Sequence, residues 1–230
     1  MAGPPLGERW VETYRHQPET FDRFSRAGDP DGEVARQLLL HAHLSGRDVL
    51  EIGCGGGTWT QRLAPTAARY VAIEPEASML RLARKGTPAH IPILRARAEA
   101  LPFPPAHFDR VVATWVFANL RPKARARSLD EVRRVLRPNG ECWLLENHWD
   151  DAFQRLRASG GIKLDIEVQP LLEDHGFELV QTVESELVFE SEAEAARVLG
   201  QILGPRIEAE LERHPARCFE HRVVLLRASG

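Results

Sequence analysis

The sequence predicts an α/β fold with a mostly parallel sheet, on three observations. Short apolar runs alternate with helix-patterned segments across residues 48–146, the order that builds βαβ units. The first run leads into a glycine cluster, V-L-E-I-G-C-G-G-G-T-W-T from Val49 to Thr60, which reads as strand, tight turn and helix start. A later run, Phe108 to Trp115, is apolar enough for a central strand covered on both faces.

The 230 residues suit one domain with a single core. A net charge of −3 offers no basic field for nucleic acid, so none is expected as a partner. The three cysteines, Cys54, Cys142 and Cys218, are scattered without a C-x-x-C or a metal spacing; no metal is expected, and reduced thiols in a cytoplasmic protein are. The start, M-A-G-P-P-L-G-E-R-W, has no apolar stretch of the signal-peptide kind. The longest apolar run, around Val111 to Ala118, falls short of the roughly 20 residues that span a bilayer. A soluble protein, monomer or homodimer, is the expectation.

The chemistry of the glycine turn follows from its backbone. Gly53, Gly55, Gly56 and Gly57 lack a Cβ, so positive φ and close approach of a ligand are open to them. The helix start beyond them presents unpaired N–H groups. A dinucleotide fingerprint G-x-G-x-x-G from Gly53 would need glycine at Thr58, and no G-x-x-x-x-G-K-[ST] run exists. The turn instead reads Glu51-x-Gly53-x-Gly55-x-Gly57, and this acid-x-G-x-G-x-G pattern resembles the first motif of class I S-adenosylmethionine-dependent methyltransferases. The resemblance implies a Rossmann-like, seven-stranded, mostly parallel sheet with an antiparallel last strand and helices on both faces. It also implies S-adenosyl-L-methionine as cofactor, held about Glu51, Gly53, Cys54 and Gly55. Glu51 would suit a cationic ammonium and sulfonium better than a pyrophosphate. A glycine-rich turn with no ligand is the plain alternative.

Before this turn, residues 1–30 pass from prolines and glycines to an aromatic and charged stretch with Trp10, Tyr14, Arg15, His16, Phe21 and Phe24. This segment reads as an amphipathic helix packed on the domain, or as a lid in which Tyr14 and Arg15 face the substrate. Val34, Leu38 and Leu39 then mark a helix over Glu33 to His43 that feeds the first strand.

After the turn, Tyr70 to Ile73 forms a second strand closed by Glu74, 21 residues past Gly53. That is near the offset of roughly 20 at which an acid meets ribose hydroxyls; a helix cap is the plain reading of a lone acid there. Pro75 stands where the family packs a residue near the adenine, ahead of a helix through Leu80 and Ala83. Ile91 to Leu94 reads as a third strand. It leads to A96-R-A-E-A-L-P-F, which resembles the G-D-A-E-x-L-P-F segment of small-molecule, quinone-biosynthesis methyltransferases of the type 11 branch. The family's adenine-binding aspartate falls on Arg97, which has no acceptor; the adenine edge would then depend on Ala98 and Glu99.

The carboxyl end of the fourth strand, from Thr114 on, should face the ligand crevice. It reads T-W-V-F and not the N-P-P-Y of amino-methylating enzymes on nucleic acids and release factors. Trp115, Phe117 and Trp149 are candidate walls around sulfonium and substrate, with Trp115 and Phe117 substrate-facing; core packing is the alternative for any of them. A helix over about Lys123 to Leu136 buries Leu129, Val132 and Leu136 and turns Arg125, Arg127, Arg133, Arg134 and Arg137 outward. A Pro138-Asn139-Gly140 turn precedes a fifth strand, Cys142 to Glu146. His148, just past its end, is the candidate catalytic base, needed only where the nucleophile holds a proton.

Residues 150–170, with Gly160-Gly161 and Pro170, read as irregular substrate-facing loops and a helix start. A strand from Phe177 and its continuation through Ser185 to Glu190, a helix Ala193 to Leu203 with a capping box at Ser191 and Glu194, a helix Ile207 to Arg213, and a strand Phe219 to Arg227 complete the chain. The division is an N-terminal helical cap, 1–45, and a methyltransferase domain, 46–230, with a helical insertion at 191–215. Transfer of a methyl group to a small-molecule acceptor, at carbon or oxygen, is the leading functional expectation. A nicotinamide-dependent oxidoreductase and a non-catalytic adenosylmethionine-binding module are the alternatives.

Overall fold

In the computed structural model, residues 14–160 and 168–230 are described; the opening stretch with Trp10, and Gly161 with the six residues after it, lie outside them. The described chain forms a seven-stranded sheet in the order β3-β2-β1-β4-β5-β7-β6. Its strands are β1 (Asp48–Ile52), β2 (Arg69–Ile73), β3 (Ile93–Leu94), β4 (Phe108–Thr114), β5 (Leu136–Asn147), β6 (Glu178–Val188) and β7 (Cys218–Ser229). β1 pairs in parallel with β2 and β4, β2 with β3, and β4 with β5, whereas β7 runs antiparallel between β5 and β6. The expected mostly parallel sheet with its antiparallel last strand is present.

The helices are α1 (Pro18–Ala27), α2 (Glu33–Ala42), α3 (Thr58–Leu63), α4 (Ala77–Gly86), α5 (Pro122–Val135), α6 (Ala152–Ser159), α7 (Val168–Asp174), α8 (Glu192–Leu203) and α9 (Pro205–Arg213). Strand residues alternate between two cores, as period-two side chains must. Val49, Val112, Trp143, Leu145, Val223 and Leu225 join one cluster with residues of α2, α3 and α4. Leu50, Ile52, Val111, Ala113, Leu144 and Val224 join the other with α5 and α7. Burying each such aliphatic side chain contributes about 1.5–3 kcal/mol of transfer free energy. A third cluster, which includes Ala27 of α1, Phe153 of α6, Leu187 of β6, Leu199 of α8 and Leu211 of α9, caps the end of the sheet.

The structure corrects the sequence reading in two places. Residues 150–170 are not wholly irregular, because α6 begins at a capping acid: Asp151 Oδ1 accepts the Gln154 N–H at 2.7 Å and its Oδ2 accepts the Arg222 N–H at 2.8 Å. Nor do all the arginines of α5 and its end face solvent. Arg125 is 1% exposed; its Nε donates to Phe117 O and its Nη2 to Leu120 O, both at 2.9 Å. The turn after β4 leaves carbonyls without sheet partners, and a guanidinium fork satisfies two of them. Arg134 donates to the carbonyls of Phe103 and Leu101, and Arg137 pairs with Asp48 and Asp109. Arg127 and Arg133 are exposed as expected.

Among the described residues no helix is long and apolar enough to cross a membrane.

Candidate active site

The turn after β1 opens at the carboxyl end of the parallel strands. Gly53 and Cys54 donate their N–H groups to Ile73 O at 2.9 and 3.1 Å, which ties the turn to β2. Gly53, Gly55 and Gly57 have φ of 74°, 54° and 86°. At Gly53 the requirement is doubled, since a Cβ there would lie 2.6 Å from Val116 Cγ2. The turn borders a cavity of about 280 Å³. Its lining includes Gly53, Cys54, Gly55, Glu74, Pro75 and Glu99 and, from later in the chain, Trp115, Phe153, Arg157 and His221.

Glu74 closes β2 and is 6% exposed. Its Oε2 accepts the Gly55 N–H and its Oε1 the Glu76 N–H, each at 2.9 Å. A carboxylate has about four acceptor positions, so each oxygen keeps one for the cavity. Burial pushes its pKa up to about 7, against the lowering effect of those two backbone donors. Ala98 and Glu99 also line the cavity, with Glu99 accepting from Arg97 Nη2 at 3.0 Å. Thr114 lines it from the end of β4.

Four of the expected site residues stand elsewhere. Glu51 is fully buried behind the turn, where its Oε2 accepts from the hydroxyls of Thr60 (2.5 Å) and Tyr70 (3.1 Å). Burial raises its pKa to about 7, and its Oε1 has no partner. Phe117 is 0% exposed inside the α5-side core, because the helical turn that carries it is held from both flanks: Arg125 takes its carbonyls and Glu146 Oε1 accepts the Ala118 N–H at 3.0 Å. Arg15 donates to both carboxylate oxygens of Glu76 and is not part of the cavity wall, whereas Tyr14 is. His148 lies outside the lining as well; its Nδ1 accepts the Asp150 N–H at 3.1 Å and its ring stacks on the half-exposed Trp149 at 4.1 Å. The strand end turns its main chain toward β7, where His148 N–H donates to Arg222 O.

Another histidine faces the cavity. His221 of β7 is 3% exposed, and its Nε2 lies 2.9 Å from Asn147 Oδ1. The same oxygen accepts from the indole Nε1 of Trp115 at 2.7 Å. An indole nitrogen only donates, so this atom is an acceptor, and His221 Nε2 must carry the proton. Nδ1 is left bare, and it is buried without a partner. Burial and the nearby Arg157 lower the His221 pKa to about 4, which keeps the ring neutral at pH 7. Trp115 supports it: with φ 55°, a left-handed conformation uncommon for a bulky residue, its indole lies between His221 (6.2 Å) and Trp59 (5.3 Å).

The sequence reading missed His221, Arg157, Asn147 and Trp59. His221 shares a buried face of β7 with Phe219 and Val223, alternating with the charged Glu220 and Arg222, a pattern that marks a face but not a cavity, and Arg157 sits on α6, within a stretch whose sequence reads as irregular.

The residues present fit an adenosyl ligand: a carboxylate with free acceptor positions stands beside a turn whose first glycine admits no side chain. Residues 50–144 match the family described as "Methyltransferase domain". An uncharacterized methyltransferase of Mycobacterium tuberculosis (strain ATCC 25618 / H37Rv) is 34% identical over 116 residues, 50% of this chain and 46% of that protein. The ubiquinone/menaquinone biosynthesis C-methyltransferase UbiE of Hahella chejuensis is 37% identical over 110 residues, 44% of this chain and 43% of that protein. The chain thus spans less than half the length of these curated relatives. Among solved structures, the N-methyltransferase NodS of Bradyrhizobium japonicum, in complex with S-adenosyl-L-homocysteine, aligns over 99% of both chains with a TM-score of 0.59 and 17% identity. Residues 50–144 thus match a methyltransferase-domain family, and the chain around them shares the fold of NodS.

Proposed function

We propose that the chain is an S-adenosylmethionine-dependent methyltransferase acting on a small molecule, with carbon or oxygen as the favoured acceptor atom. The observation that carries this reading is Glu74, a buried carboxylate bonded to the glycine turn and open to the cavity. Glu74 would hold the ribose hydroxyls, the backbone of Gly53, Cys54 and Gly55 the methionyl portion, and Pro75, Ala98 and Glu99 the adenine. Thr114 would stand near the transferring group. Glu51 would act from behind the turn, as a negative charge and a brace. The bound cofactor supplies an electrophilic methyl on a good leaving group. The chain's own work is to align the acceptor and exclude water.

His221, rather than His148, is the imidazole in reach of an acceptor's donor group. The UbiE similarity favours carbon as the acceptor atom. The cap at 1–45, the domain at 46–230 and the insertion at 191–215 remain our division. A cytoplasmic monomer or homodimer with no nucleic-acid partner is the matching setting. Calorimetry with adenosylmethionine, adenosylhomocysteine and NADH tests the reading: binding of the two adenosyl compounds and silence toward NADH is expected, and the reverse would sink it.

A further inference from the structure

The cavity wall carries two cations among the described residues, and they differ in kind. Arg97 is paired with Glu99. Arg157 is 2% exposed and has no ion pair among the described residues; the hydrogen bond it makes there runs from Nη1 to Gln154 Oε1 at 2.8 Å, and its Nε is buried without an acceptor. Asp151, whose charge it feels, has one oxygen on the Gln154 N–H and the other on the Arg222 N–H. Burial lowers the Arg157 pKa only to about 10, so the group is charged at pH 7. Burying a guanidinium without an ion pair is costly, and an anion entering the cavity would offset that cost.

Its neighbours define that anion further. The Phe153 ring has Arg157 Cζ 5.9 Å from its centroid, His221 at 5.6 Å and Phe24 at 5.8 Å. The Phe153 ring therefore lies beside both a guanidinium whose Nε has no acceptor and an imidazole whose Nδ1 has no partner. The carboxylates on the cavity wall are engaged elsewhere, Glu74 with the Gly55 and Glu76 N–H groups, Glu76 with Arg15 and Glu99 with Arg97.

We propose that the acceptor is a small aromatic carboxylic acid with a hydroxyl or N–H donor, its carboxylate on Arg157, its ring against Phe153 and its donor on His221 Nδ1. The planar guanidinium suits the two oxygens of a carboxylate. This assignment deepens the methyltransferase reading and rests on it for the word acceptor, but the anion site stands on its own geometry.

The test is calorimetry on the full chain saturated with adenosylhomocysteine, titrated with 3- and 4-hydroxybenzoate and with the matching hydroxybenzamides. The acids are expected to bind at least tenfold tighter than the amides. Arg157→Gln should erase that difference and leave adenosylhomocysteine binding unchanged, and Arg157→Lys should restore part of it. Equal binding of acid and amide by the unaltered protein, or no binding of either acid, overturns the proposal without recourse to a variant. So does an Arg157→Gln protein that folds and loses adenosylhomocysteine instead, since Arg157 would then serve the cofactor's carboxylate. If adenosylhomocysteine fails to bind while the free protein still prefers acids to amides, the methyl-transfer reading falls and the anion site survives.

Discussion

Glu74 and Gly55 are joined across two neighbouring strand ends, the Gly55 N–H donating to Glu74 Oε2 at 2.9 Å. The bond fixes the glycine turn and the carboxylate as one unit, so a ligand that meets one meets the other.

Glu74→Ala is expected to weaken adenosylhomocysteine binding by about 1–3 kcal/mol, the range for lost hydrogen bonds to a charged acceptor. The pKa adds a sign. With burial raising it from 4.5 to about 7, the carboxylate gains a proton as pH falls through 7 and loses acceptor capacity. Affinity should therefore be highest above pH 7 and decline below it. Calorimetry from pH 5.5 to 8.5 checks both, and a flat profile in the unaltered protein would remove Glu74 from the contact.

Gly53→Ala should cost about 1–3 kcal/mol of stability and abolish tight cofactor binding. The new methyl would meet Val116 Cγ2 at 2.6 Å, at a φ of 74° that L-residues rarely adopt. Urea denaturation and calorimetry on one preparation separate the two effects. An unchanged midpoint would mean that the turn yields more easily than its contacts imply.

Glu146 offers a stability test independent of any ligand. Its pKa is raised from 4.5 to about 7, chiefly by burial. Between those values the folded state holds a proton that the unfolded state has released, so stability falls as pH rises through the window. Glu146→Gln keeps an oxygen for the Ala118 N–H and removes the titration. The Tm of the variant should gain on that of the parent between pH 5 and 7.5, and a constant difference would show that Glu146 does not titrate there.

Arg125→Leu should lower stability by about 3 kcal/mol, because it strips donors from the Phe117 and Leu120 carbonyls and leaves the buried Glu146 without its nearby positive charge. A urea midpoint equal to the parent's would mean that water replaces the guanidinium.

The sheet and the glycine turn were legible because their signals are local. Alternation along β4, the glycine spacing from Gly53 and the acid at Glu74 are set by neighbours in sequence and by one βα step. Glu51 shows where such reading fails: the motif placed it correctly at the end of β1, but which way its carboxylate points is decided by Thr60 and Tyr70. The two histidines show the same limit. His148 and His221 both lie by the β5–β7 seam, and only the antiparallel register, with Asn147 opposite Val223, decides which one faces the cavity. Arg125 read as one arginine among five on a solvated helix, since nothing in its own segment announces that the preceding turn lacks donors. α6 was missed for a similar reason: one of Asp151's two cap bonds goes to Arg222, far along the chain.

The antiparallel β7 is hydrogen-bonded on both sides, to β5 and to β6, and it delivers His221. During synthesis, β6 and the cap it supports have no seat until residues 218–229 have left the ribosome and slid into the gap. A chain without them keeps Trp115, Phe153 and Arg157 of the cavity wall but lacks His221 and the seat for β6. One strand is thus the keystone of two structures, and displacing it would open the cavity at His221 and cast off β6 in the same event.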